Sequence, residues 1–145
     1  MTKKPRIKDL PTPSKVVPRP KWLGPATLEN RHVSWRFSCA DKGGRWPWLA
    51  VPGEGLKEIL LKFESFERMD DNSGLKEVRS VHPVDKLPKA AQERLRQLER
   101  DDDVERLFSW HLNRMGRLWC AEYDGMMCVL WWDPRHEVYP VVRKR

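Results

Sequence analysis

"LFSWHLNRMGRLWCAEYDGMMCVLWWDPRHEVYP", residues 107–140, is the stretch whose reading decides the fold. Apolar residues recur there with a strand period in three runs: "LFSWHLN" (107–113), "RLWCAEYD" (117–124) and "MMCVLWWD" (126–133). Asp124-Gly125 is a two-residue hairpin signal, because the favoured tight turn needs φ > 0. The first two runs are joined without a fixed turn type, so the hydrophobic pattern must choose their register. A four-residue loop, Asn113–Gly116, places Phe108, Trp110 and Leu112 on the packed face. A three-residue loop would place Ser109 and His111 there, and burying polar groups unpaired is costly. The four-residue loop is therefore expected.

Residues opposite one another across the Asp124-Gly125 turn share a face. Trp119, Ala121, Tyr123, Met126, Cys128, Leu130 and Trp132 form one face, expected to lie against helices. Leu118, Cys120, Glu122, Met127, Val129 and Trp131 form the other, expected to stay open and to carry Ser109 and His111 as well. Trp132 is thus expected in the core and Trp131 outside it. Cys120 and Cys128 fall on opposite faces, against a disulfide or a shared metal between them.

Upstream, "HVSWRFS" (32–38) alternates as a half-buried strand. Leu56, Ile59, Leu60, Phe63 and Phe66 recur at helical spacing between charged residues. "MDDNSGLKEV" ends that helix and starts a short second one, "HPVDKL" reads as a turn, and a further helix begins at Pro88 with Ala91, Leu95 and Leu98 as its stripe. The expected class is α+β: an N-terminal strand, two or three helices, then a three-stranded antiparallel meander packed on them.

The chain has 145 residues and a formal charge of +7. Residues 1–31 hold eight bases and two acids, and the last three residues are all basic, so the remaining 32–142 carry −2. Six prolines and few apolar residues mark 1–30 as an extended basic arm, dispensable for folding, with Trp22 and Leu23 as a docking point; 31–145 is the domain. A basic arm attracts nucleic acid or an acidic partner. No apolar run approaches the roughly 20 residues of a membrane span, and no apolar segment follows the N-terminal bases as in a secretory signal. With three cysteines and no CxxC spacing, a reducing cytoplasmic setting is expected. No metal-ligand spacing, phosphate-cradling glycine loop or GxSxG appears, so no metal or cofactor is expected.

The order of elements, and residues 107–139 above all, resembles the RelE-like toxins, small ribosome-dependent mRNA endonucleases and their relatives. "HVSWRFS", "HPVDKL" and "LWWDPRHEVYP" also look like segments of small bacterial and phage proteins. The resemblance implies a RelE-like fold, with Arg117, just after the loop glycine, holding the scissile phosphate. It matches Arg135 to a later basic residue and Tyr139 to a C-terminal tyrosine. Ser109 and His111 stand where several members have lysines, and Asp133-Pro134 is inserted before the arginine.

Two functions compete. In the first, the chain is a non-catalytic interaction protein. An antitoxin-like or host protein would bind the open sheet face through Leu118, Met127, Trp131 and Glu122, with Trp22, Arg114 and the arm assisting. Eight tryptophans favour this, since tryptophan is enriched at binding hot spots. In the second, it is an endoribonuclease acting on mRNA at the ribosome. Such cleavage needs a base, an acid and phosphate-holding cations, and no metal. His111 and His136 would be acid and base, Arg117 and Arg135 would hold the phosphate, and Tyr139 would stack on a nucleobase.

Overall fold

The computed structural model describes residues 32–69, 74–123 and 125–140, all within the unit Arg31–Arg145. The arm with Trp22, the turn residue Asp124 and the C-terminal basic triplet lie outside the described residues. In chain order the elements are β1 (Ser34–Arg36), a 3-10 turn (Trp48–Ala50), α1 (Gly53–Glu67), α2 (Leu75–Val78) and β2 (Arg79–Pro83). A second 3-10 turn (Val84–Lys86), α3 (Lys89–Gln97), β3 (Arg106–His111), β4 (Arg117–Tyr123) and β5 (Met126–Asp133) follow. The class is α+β, as the periodicities predict. The sheet is larger than the meander: five strands in the order β1-β5-β4-β3-β2, with β1 parallel to β5 and the other pairs antiparallel.

Strand β2 occupies part of what reads as a turn. Its apolar Val81 is exposed, while His82 is half-buried, so its alternation is inverted relative to a half-buried strand. It pairs with β3 alone, and an edge position tolerates its terminal Pro83.

Both faces of the sheet are covered. Ile59, Phe63 and Phe66 of α1 pack against Phe108, Trp110, Leu118, Cys120, Met127 and Val129. Ala91 and Leu95 of α3 pack on the opposite face against Leu107, Trp119, Ala121, Cys128, Leu130 and Trp131. The expected open face does not exist. Leu118 (0% exposed), Met127 (1%) and Trp131 (0%) are interior, so none of them offers a surface to a partner. In exchange, Leu56 and Leu60 of the α1 stripe stand exposed.

Two register details account for the changed faces. Below the Gly125 turn, where φ is +81°, the ladder runs Tyr123↔Met126 to Cys120↔Val129 as expected. A bulge then shifts it to Trp119↔Trp131, leaving Leu130 without an opposite residue. One extra residue reverses the alternation beyond it. Trp131 therefore joins Trp119 on the α3 face, and Trp132 lies with Leu118, half-buried. The second detail is the β3–β4 connection, which pairs His111 with Arg117 and Ser109 with Trp119. Ser109 and His111 thus share the face of Trp119, not that of Glu122.

α3 ends in a Schellman motif. Arg100 N–H donates to Leu95 O at 2.9 Å, Glu99 N–H to Arg96 O at 2.9 Å, and Glu99 takes φ +58°.

Candidate active site

The α3 face of the sheet turns polar toward one end. β2 supplies His82, β3 supplies Ser109 and His111, and β4 supplies Arg117 beside Trp119. β5 ends in Asp133, and the chain beyond it brings back His136 and Tyr139. His82 Nε2 and Ser109 Oγ are 3.1 Å apart, which gives the buried hydroxyl the partner that makes its position affordable. The pair resembles a nucleophile and its base. At 3% exposure, however, Ser109 is closed to a substrate, and its role is to fix the imidazole. The His82 ring lies 5.0 Å from Trp119 and 4.8 Å from Tyr139.

Asp133 sets the path of the chain after β5. Fully buried, it accepts hydrogen bonds from Trp119 Nε1 (3.2 Å), Glu137 N (2.8 Å) and Val138 N (3.0 Å). Val138 is drawn into the core and His136 is left at the crest of the turn with φ +57°. A non-glycine residue there is uncommon and follows from the anchoring on either side.

The β3–β4 loop is held as firmly. Asn113 Oδ1 accepts from Gly116 N at 2.6 Å and Met115 N at 3.1 Å, and its Nδ2 donates to Glu58 Oε1 at 2.9 Å. A Cβ on Gly116 would stand 2.9 Å from Asn113 Oδ1, so a larger residue there would push the Asn113 amide aside. Arg117 Nη1 donates to Asn113 O (3.0 Å) and Gly116 O (2.9 Å). Nη1 is thus committed to the loop, and Arg117 begins β4 half-buried with its chain anchored.

These groups feel one another's charge. Burial, then the Arg117 and His136 charges, push His111 below the ordinary histidine value. Burial and Arg117 lower His136, with Asp133 opposing, and burial with His136 lowers His82. Burial also lowers Arg117, again against Asp133, from a starting point so high that it remains a cation. The site is therefore neutral imidazoles around a fixed guanidinium, able to accept protons near pH 7 and to hold an anion.

Of the residues singled out from sequence, His111, Arg117 and His136 come together, and Tyr139 reaches the same cluster through His82. Arg135 is exposed in the turn after β5, and no hydrogen bond or ion pair joins it to the cluster. Arg114 is exposed in the β3–β4 loop. Glu122 lies toward the other end of β4, opposite Met127, away from Arg117. His82 and Asp133 are the residues that sequence reasoning missed, and Ser109, expected on an open face, is instead buried. The signal for His82 was the polar residues "RSVHP" just ahead of a turn, which reads as loop until β3 is seen to need an outer partner. Among the described residues no group of three His, Cys, Asp or Glu is arranged to hold a metal ion, and no helix is long and apolar enough to cross a membrane.

No family model, curated protein or solved structure matches the chain.

Proposed function

We propose that the chain is an endoribonuclease acting on mRNA, and that it cleaves by internal attack of the ribose 2′-oxygen. The observation that carries this is the convergence of His111 and His136, from separate segments, on one anchored arginine, with His82 beside His136. In this reading a neutral imidazole, His111 or His136, takes the 2′-hydroxyl proton. The other, protonated, delivers a proton to the leaving 5′-oxygen. Arg117 balances the charge that grows on the phosphate, using the nitrogens its loop does not occupy. Tyr139, 38% exposed, would stack on a nucleobase. The products are a 2′,3′-cyclic phosphate and a 5′-hydroxyl. The resemblance to RelE-like toxins supports the same reading and implies a ribosome-bound substrate in the cytoplasm, with the basic arm adding contact to RNA. The depressed histidines imply a rate optimum on the acid side of neutrality, where one imidazole is protonated and the other is not.

The test is RNA cleavage on intact ribosomes by the wild type and by Arg117→Ala, with the ends mapped. Cyclic-phosphate ends from the wild type, and at least ~100-fold slower cleavage by the variant, are expected. Folded wild-type protein that leaves mRNA intact would sink the proposal.

A second reading keeps one observation. Phe37, Leu49, Leu56, Leu60 and Leu61 are exposed large apolar residues. A protein partner seated there, and not on the sheet, would make the chain an interaction module. That reading predicts intact mRNA, with Arg117→Ala leaving partner binding unchanged and Leu60→Asp weakening it.

A further inference from the structure

Cys39 and Cys128 are far apart in sequence, yet the fold sets their thiols near one another, Cys39 packing against the cluster that holds Cys128. The fold brings them together through two pairings on either side. Arg36 of β1 is in register with Cys128 of β5, and Asp41 N–H donates to Leu130 O at 2.9 Å. Between these two points the chain turns once, with Ala40 N–H donating to Phe37 O at 3.0 Å, and Cys39 sits in that turn, packed against the cluster that contains Cys128. Cys39 is partly exposed, whereas Cys128 is buried. Arg100 Nη1 donates to Cys39 O at 2.6 Å, so a guanidinium stands beside the pair.

We propose that Cys39 and Cys128 form a peroxide-sensitive dithiol whose disulfide staples the three-residue edge strand β1 to β5. Hydrogen peroxide meets the accessible sulfur first. The Cys39 thiolate attacks one peroxide oxygen, the O–O bond breaks, and hydroxide leaves, giving a sulfenic acid. The Cys128 sulfur then attacks the Cys39 sulfur. The S–S bond forms, the S–O bond breaks, and the hydroxyl leaves as water with the Cys128 proton. Two electrons pass from the sulfurs to the peroxide. Cys128 is the resolving partner by position, buried beside Cys39; burial and the neighbouring Cys39 push its thiol up, with Arg36 and Arg100 opposing. Cys120 is the internal contrast, fully buried in β4 and raised further by burial.

The experiment exposes the full-length protein to hydrogen peroxide, blocks remaining thiols and maps the peptides by mass spectrometry. A Cys39–Cys128 linked pair, two hydrogens lighter than the separate thiol peptides, is expected in monomeric protein. Cys39→Ser should abolish it and Cys120→Ser should leave it. In the oxidised form, amide exchange in β1 should slow by about tenfold or more, because opening of the edge strand is suppressed. Separate sulfinic acids at the two cysteines, a linked dimer, or unchanged β1 exchange in the linked form would each overturn the proposal.

Discussion

Arg94 of α3 grips Asp41 through two hydrogen bonds of 2.7 Å, Nε to Oδ2 and Nη2 to Oδ1. Asp41 is 3% exposed, and its carboxylate also accepts from Trp131 Nε1 at 3.0 Å and Gly43 N at 3.1 Å. Burial alone would raise this carboxyl. Arg94, with Trp131 and Gly43, outweighs burial and holds it below its ordinary value. The loop after β1, the helix α3 and the bulged end of β5 therefore meet at one ion. Arg94→Ala leaves that carboxylate buried without its cation, which costs about 3–5 kcal/mol. Urea unfolding measures it, and a loss under about 1 kcal/mol would show that the pair is dispensable.

The two neighbouring tryptophans should separate cleanly. Trp131 is fully buried beside Trp46, with ring centroids 5.0 Å apart, whereas Trp132 is half-buried on the opposite face. Trp131→Ala should cost about 3–5 kcal/mol and Trp132→Ala clearly less. Equal costs in a paired denaturation experiment would contradict the bulged register.

Acid should weaken the fold in two stages. His82, His111 and His136 are all held below the ordinary value near 6.5, mainly by burial. The unfolded chain then takes up protons at a higher pH than the folded one, so their contribution is complete above about pH 6.5 and is lost as the pH falls below it. Asp41 behaves likewise further down, its contribution being lost as the pH falls below the ordinary carboxylate range. Melting temperatures should therefore fall from pH 7.5 to pH 5.5 and again below pH 4. A flat or rising profile across the first interval would be wrong in sign.

Ser109→Ala removes the hydroxyl that meets His82 Nε2 without opening a large cavity. The expected loss is about 1–2 kcal/mol, the cost of an orphaned polar group. The His82 ring resonances should shift between the wild type and the variant in NMR spectra, and unchanged His82 resonances would show that the hydroxyl does not hold the ring.

Glu99→Gly should stabilise the domain. Glu99 holds the left-handed position at the C-terminal end of α3, where glycine carries no Cβ penalty. A gain of roughly 0.5–1 kcal/mol is expected. Thermal melts check it, and a loss of stability would mean that the Glu99 side chain matters in its own right.

The sequence carried the class, the helix α1 and the Asp124-Gly125 register. These rest on local periodicity or on a turn whose chemistry is fixed. What stayed hidden depended on partners distant in sequence. Ser109 could be buried because His82 waits on a strand that looks like a loop. Trp131 could turn inward because Asp41 offers its indole an acceptor. Nothing in "VLWWD" marks Leu130 as the residue without an opposite number, since a bulge is chosen by what both faces must bury and not by the residue that bulges. The same omission made the second face look open, when α1 was already available to cover it.

That bulge also acts as a parity switch for everything after it. Trp131 and Asp133 face α3 because β5 bulges at Leu130 and does not pair that residue with Trp119. Were Leu130 paired with Trp119 in unbroken register instead, Trp131 and Asp133 would pass to the α1 side, carrying the turn of His136 to the wrong surface of the sheet. The position of a polar cluster, some six residues downstream, is thus set by counting: deleting Leu130, the residue with no opposite number, would keep Trp131 opposite Trp119 and His136 near Arg117, whereas losing the bulge with every residue retained would move His136 away.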